Sequence, residues 1–354
     1  MKKKKQNKGI KIFAAFLLVL GMLVTGLMGW KYVRDNKLGN FGGRVELHVY
    51  PGMTPQDVIS QIEEKTTINR KAALLKVFEE KQVATYIHPG YYLIHSTTPS
   101  VTLARMLNNG WEAPSKLTLS GTMRLKDDIA RKIASQMMVT KEEVRAALDD
   151  KDFLAKYGFT PQNVFSLILP DTYSIFWSAS LDQIFETLKK AYDAYWTEDK
   201  LMRAARLGLT REEVSILASI VQGESNHEPE QPKIAGVYLN RLKEGMKLQA
   251  DPTVAYCFDY TLTRILNRHL QVDSPYNTYK YEGLPPGPIC VPSKSCLNAV
   301  LDPDTKDGYL YFCANSDWSA THVFARTLSE HNANARAFQA ELTRRQREKK
   351  KAGN

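Results

Sequence analysis

The apolar positions fall first into one long run and then into shorter periodic patterns. Residues 10–30 form a 21-residue stretch whose only charge is Lys11. As a helix it would be about 31 Å long, enough to cross a hydrocarbon layer. It exceeds the usual core of a cleaved leader and ends without a small-x-small site, so the pattern predicts an uncleaved anchor. Residues 36–43, rich in Asn and Gly, read as a linker. Alternation in Val45-Glu-Leu-His-Val-Tyr50 then predicts a strand, Pro51-Gly-Met-Thr54 a turn, and Val58, Ile59 and Ile62 a helix. A further strand is expected at residues 90–94 and a helix at 100–107. The strand, glycine turn and helix layout recurs faintly at residues 116–123, followed by Ile129 and Ile133. Beyond this, Thr140-Lys-Glu-Glu143 opens a helix by the capping-box pattern, and residues 181–205 read as one long amphipathic helix. Residues 309–312 and 322–324 suggest a hairpin, and the charged residues 344–354 a frayed end. Mixed helices and strands of this kind place the chain in the α+β class.

One apolar segment carries chemistry. Thr210-Arg-Glu-Glu213 is a capping box, so a helix should start at Arg211. Val214, Leu217, Ala218 and Val221 recur at helical spacing while Ile216 and Ile220 fill a second face, which predicts a helix buried on both sides. Gly223 reads as its C-terminal breaker, leaving Glu224 just past the end. The negative end of the helix dipole and the apolar surroundings would both raise the pKa of that carboxyl group. A carboxyl group protonated near neutral pH suits general-acid catalysis. Taken alone, a glutamate just beyond a helix is more plainly read as solvated, but the downstream residues change that reading. Residues 231–241 form a second expected helix, with Pro232 in its first turn and Gly245 after its last. Pro252 bars simple helix continuation through Met246-Lys-Leu-Gln-Ala-Asp-Pro-Thr-Val-Ala-Tyr256. Gln249 and Asp251 therefore stand between apolar anchors, where polar groups can line a cleft.

Charge narrows the class. The formal net charge is +10, but Lys2, Lys3, Lys4, Lys5, Lys8 and Lys11 give the first 11 residues +6. Residues 341–354 carry six basic groups against two acidic ones, +4, so residues 12–340 are net neutral. A neutral body lacks the basic face that nucleic-acid binding needs. Cys257, Cys290, Cys296 and Cys313 all lie in the C-terminal third. Their even number in an exported chain allows disulfides, with Cys290 and Cys296 the favoured pair and free thiols the alternative. A metal site from His227, Glu228 and His269 matches no familiar ligand spacing.

Several runs occur together in order: Ala218-Ser-Ile-Val-Gln-Gly-Glu-Ser225, Val237-Tyr-Leu-Asn-Arg-Leu242, Leu248-Gln-Ala-Asp-Pro-Thr-Val254, Tyr276-Asn-Thr-Tyr279, Gly283-Leu-Pro-Pro-Gly287, and Thr321-His-Val-Phe324 with His331-Asn332. This set closely resembles the MltG/YceG-like endolytic murein transglycosylases, and Leu169-Pro-Asp-Thr-Tyr173 also fits that pattern. The resemblance implies an α+β protein with an N-terminal transmembrane helix, a LysM-like α/β subdomain and a C-terminal α+β catalytic domain. The implied divisions are a basic cytoplasmic tail (1–9), the transmembrane helix (10–30), a linker (31–43), LysM-like module(s) (44–135), a helical region bordering the cleft (136–208), the catalytic domain (209–340) and a charged tail (341–354).

The resemblance further implies that Glu224 is the catalytic acid and then base in cutting the bond between MurNAc and GlcNAc, giving 1,6-anhydro ends without metal or cofactor. Many relatives carry a second glutamate where Gln222 stands, which favours Glu224 over its neighbour. Ser225, Asn240, Gln249 and Asp251 are expected to orient acid and substrate. Tyr276, Asn277, Tyr279 and His322 would line sugar subsites, with Asp171, Tyr173 and Trp177 as further glycan contacts. Tyr91, Tyr92 and Trp111 could stack on sugars or simply belong to the core. The implied partners are peptidoglycan glycan strands, the inner membrane with the N-terminus cytoplasmic, and cell-wall synthases of the penicillin-binding class. Two rivals remain at this stage: a hydrolytic muramidase using Asp251 or Glu228 as a second carboxylate, and a non-catalytic tethered glycan binder that recruits synthases.

Overall fold

The computed structural model describes residues 2–352, with side chains for residues 8–348. Two compact units divide the chain: residues 1–116 with 174–178, and residues 117–173 with 179–354.

The N-terminal unit begins with α1 (Lys2–Asn36), which contains the apolar run and is long and apolar enough to cross a membrane. Large side chains along it, from Ile10 to Val33, remain exposed, so the protein itself leaves the apolar run uncovered. There follow β1 (Val45–Val49), α2 (Pro55–Lys65), α3 (Lys71–Glu80), α4 (Val83–Tyr86), β2 (Gly90–Ile94) and α5 (Ser100–Asn109). The two strands pair antiparallel, Leu47 opposite Tyr92, and their inward residues join Ile59, Ile62, Leu74 and Leu103 in one core. The turn chemistry read from sequence holds, since Thr54 caps α2 in a full capping box. The Asn/Gly stretch ahead of β1 is docked rather than loose. Asn40 is fully buried, accepts from the Arg70 backbone N–H at 2.8 Å and donates to Ser100 Oγ at 3.0 Å.

The second unit starts within β3 (Ser115–Leu119) and continues through α6 (Lys126–Ala134), α7 (Lys141–Ala147), α8 (Lys151–Ala155) and β4 (Asp171–Ile175), the partner of β3. The stretch expected as one long helix is two, α9 (Leu181–Tyr195) and α10 (Glu198–Arg206). Thr197 breaks it by accepting from the Lys200 backbone N–H, an N-cap that starts a new helix. α11 (Arg211–Glu224), α12 (Gln231–Lys243) and α14 (Lys294–Leu301) pack against one another, with the short α13 (Asp251–Cys257) beside α11. As the two-faced pattern predicted, every residue from Val214 to Val221 is buried. β5 (Tyr311–Ala314) and β6 (His322–Ala325) form the expected antiparallel hairpin, and α15 (Leu328–Ala352) packs on it. The end expected to fray is helical through Ala352, laced by Glu341 pairs with Arg344 and Arg345; residues 353–354 lie outside the described residues. All four cysteines are free thiols, so the favoured Cys290–Cys296 disulfide is absent.

Candidate active site

The capping box at Thr210 starts α11 at Arg211 as the sequence requires, but the far end differs from expectation. Gly223 is a helical residue in the last turn, not a left-handed breaker, and Glu224 is the final residue of α11. Glycine is needed there for space: a Cβ would lie 2.5 Å from Pro252 Cβ, at the start of α13. The helix ends because Ser225 turns to extended backbone (φ −149°) while its N–H still reaches Val221 O at 3.1 Å.

Glu224 is half-buried. Tyr238, wholly buried on α12, donates its hydroxyl to Glu224 Oε1 at 2.5 Å. Burial pushes the Glu224 pKa from 4.5 to about 7. The Tyr238 hydrogen bond opposes that rise, nearby Asp251 adds to it, and Arg241 opposes it. Tyr238 itself is pushed far up by burial and by the adjacent carboxylate, which keeps it a hydrogen-bond donor. Arg241, also buried on α12, is clamped by carbonyls: Nε to Leu310 O at 2.6 Å and Nη1 to Leu248 O at 2.6 Å. Tyr238 and Arg241 thus put two polar heads on a buried helix face.

These groups open into a cleft of about 430 Å³ in the second unit. Glu224 and α12 form one wall, and Gln249, Asp251 and Tyr279 a second. The third comprises β5, His322 of β6, and Leu328 and His331 of α15. Tyr279 donates its hydroxyl to Asp251 Oδ1 at 2.6 Å. Glu230 grips His322 twice, accepting from its backbone N–H at 2.7 Å and lying 3.2 Å from Nδ1, which fixes the imidazole and leaves its other nitrogen uncommitted. His331 stacks on Tyr311 at 5.5 Å, and burial, aided by Arg241, lowers its pKa.

The matched segment of the chain contains every one of these groups: residues 47–337 fit the YceG-like family. The chain belongs to the YceG-like family. Among its relatives is the endolytic murein transglycosylase of Bacillus subtilis (strain 168), 30% identical over 298 residues, covering 80% of this chain and 81% of the relative. The endolytic murein transglycosylase of Streptococcus pneumoniae (strain D39) is 25% identical over 364 residues, and this chain spans 65% of its length. A crystal structure of a yceG-like protein from Listeria monocytogenes superposes with a TM-score of 0.53 at 28% identity, covering 82% of this chain and 98% of that one.

Within this YceG-like fold the sequence candidates separate into two groups. Glu224, Gln249, Asp251, Tyr279 and His322 share the cleft. The others are engaged elsewhere. Ser225 accepts from the His227 N–H at 3.0 Å. Asn240 donates to Tyr309 O at 3.0 Å. Asn277 is fully buried, donating to Leu270 O and Val272 O, so it staples the loop that carries Tyr279. Tyr276 packs on Tyr256 with ring centroids 4.6 Å apart. Asp171 pairs with Lys294 at 2.5 Å, and buried Tyr173 donates to Leu169 O. In the N-terminal unit, Trp177 packs edge-on to His48 and Tyr50, Tyr92 is core, and Trp111 is exposed. His269 has the Leu266 N–H and Arg268 Nε facing its two ring nitrogens, of which a neutral imidazole accepts from one, and among the described residues it belongs to no metal-holding cluster. Sequence reasoning gave no role to Tyr238, Arg241, Glu230 and His331, although all but Glu230 lie in the runs that carry the family resemblance. The available signal for the first two was their i, i+3 spacing along the face that also carries Gln231 and Ile234.

Proposed function

We propose that this chain is a membrane-anchored endolytic lytic transglycosylase that cuts the MurNAc–GlcNAc bond of peptidoglycan strands. The carrying observation is Glu224, half-buried in an open cleft with its pKa raised by burial to about 7. The names of the relatives support the same reaction class.

Glu224, protonated, donates its proton to the bridging oxygen as the bond from that oxygen to the muramyl C1 breaks and positive charge spreads over C1 and the ring oxygen. The resulting carboxylate then removes the proton from the same sugar's C6 hydroxyl, whose oxygen bonds to C1. The products are a 1,6-anhydro end and a free GlcNAc end, with no water consumed and Glu224 reprotonated. Tyr238 holds Oε1, so Oε2 is the oxygen left to carry the transferred proton. Gln249, Asp251, Tyr279 and His322, which line the same cleft, would contact the sugars. Such chemistry needs a single carboxyl group, unlike hydrolysis with its acid and base pair.

The exposed apolar face of α1 supports an anchor whose basic end stays in the cytoplasm, leaving residues 31–354 outside. The antiparallel pair of strands in the N-terminal unit, packed with the helices between and after them, supports a LysM-like glycan-binding role beside cell-wall synthases. Asp251, in the same cleft as Glu224, favours a second reading as a hydrolytic muramidase. Mass spectrometry of fragments released from purified sacculi separates the two. Anhydro ends support the transglycosylase, reducing ends support the hydrolase, and no release at all leaves only a tethered glycan binder.

A further inference from the structure

A second hollow, of about 230 Å³, lies against the last turn of α11, lined by Gln222, Gly223 and Asn226, whereas Glu224 opens into the cleft. Its volume is that of about eight waters, near the size of one N-acetylated sugar. The lining contains no carboxylate. Gln222 is held rigidly: its Oε1 accepts from the Ser293 N–H at 3.2 Å and its Nε2 donates to Asn226 Oδ1 at 2.9 Å. Among the described residues the Asn226 side-chain N–H2 has no protein acceptor. Arg124 sits over the Tyr260 ring at 4.9 Å, and that ring is fixed by its hydroxyl bond to Ile289 O at 2.7 Å. Among the described residues no carboxylate lies within ion-pairing distance of Arg124, so its charge is held in place without a partner. The hollow therefore offers a guanidinium and amide donors and carries no opposing carboxylate. A complementary ligand presents carbonyl oxygens, hydroxyls and a negative charge.

We propose that this hollow is a glycan subsite for the N-acetylglucosamine next along the strand from the bond at Glu224. Asn226 would receive the acetamido carbonyl, and Arg124 a carboxylate borne on the lactyl arm of the adjoining muramyl sugar. The inference rests on the proposed transglycosylase reading, because a cut inside a strand leaves sugars on both sides of the broken bond. Gly223 lines the hollow and the next residue, Glu224, lines the cleft, so the hollow begins one residue from the acid. Gln222 contributes by being neutral, since a glutamate in its place would repel the charge that Arg124 attracts. The carboxylate has two sources: the lactyl group itself where the strand lacks peptide, or the stem peptide attached to it.

The test uses the full chain in detergent with three glycans: strands bearing stem peptides, strands stripped by an amidase, and neutral N-acetylglucosamine oligomers as competitive inhibitors. Arg124→Ala and Gln222→Glu should each raise KM about tenfold on at least one carboxylate-bearing strand. They should leave the inhibition constant of the neutral oligomer and the pH profile within twofold of wild type. The stem-bearing and stripped strands show which carboxylate is read. Arg124→Lys should recover part of the loss, and Asn226→Ala should weaken all three glycans. Overturning results are KM values within twofold throughout, or an Arg124→Ala loss equal for neutral and charged glycans. If wild type itself releases no anhydro ends, the transglycosylase reading falls first; if it does and the variants match it, only the subsite falls.

Discussion

Tyr238→Phe isolates the hydrogen bond that opposes the burial-driven rise in the Glu224 pKa. The change removes one oxygen from a wholly buried ring, and the ring's edge contact with Phe312, 5.9 Å between centroids, remains available. What is lost is the hydroxyl bond to Glu224 Oε1 at 2.5 Å, which favours the ionised carboxylate. A hydrogen bond to a charged group contributes about 1.5–3 kcal/mol, and 1.36 kcal/mol corresponds to one pH unit. The Glu224 carboxyl should therefore hold its proton to a pH roughly one to two units higher in the variant. In wild type the alkaline limb of kcat/KM, read from release of anhydro-ended fragments, should fall near pH 7, where Glu224 loses its proton. In Tyr238→Phe that limb should move up, while the plateau drops because the carboxyl loses its anchor. A limb that stays put, or moves down, refutes the assignment of both the acid and its partner.

Two further outcomes follow from the same geometry. Below its ordinary 4.5 the Glu224 carboxyl is protonated in both folded and unfolded chains, and above about 7 it is ionised in both. Between these values only the folded chain keeps the proton, so stability falls as pH rises through that window, by at most on the order of 3 kcal/mol. Glu224→Gln should accordingly raise the melting temperature by several degrees at pH 8 and leave it unchanged at pH 4; equal shifts at both would contradict the raised pKa. Gly223→Ala places a methyl group 2.5 Å from the rigid Pro252 ring, an overpacking that costs about 1–3 kcal/mol and displaces the acid. Melting should record the loss and kcat should fall more than tenfold; a fully active, equally stable variant would show that the last turn of α11 tolerates movement.

Local rules made much of this molecule legible. Capping boxes at Thr140 and Thr210 start helices where the sequence placed them, and the buried run of α11 delivers Glu224 as the periodicity required. Helix ends were harder to read. Gly223 resembles a stop signal by residue type, yet its role is to admit Pro252 from a distant segment, a tertiary constraint invisible to local pattern. Trp196-Thr-Glu-Asp199 carried an N-cap inside an apparently continuous amphipathic stripe, and the continuous pattern concealed it. In the site, polar side chains between apolar anchors pointed correctly to Gln249 and Asp251 in the cleft. The same logic cannot tell a cleft-facing amide from one that staples a loop, as Asn277 does through Leu270 O and Val272 O. Tyr238 and Arg241 were obscured for the opposite reason: both lie on a buried helix face, where a tyrosine reads as core.

The central claim is that one carboxyl group, Glu224, performs both proton transfers. Its most direct test is end-group analysis of glycan strands incubated with wild-type protein and with Glu224→Gln, after circular dichroism has established that the variant is folded. The account predicts 1,6-anhydro ends from wild type and none from the variant. Anhydro ends released by the folded variant would contradict it.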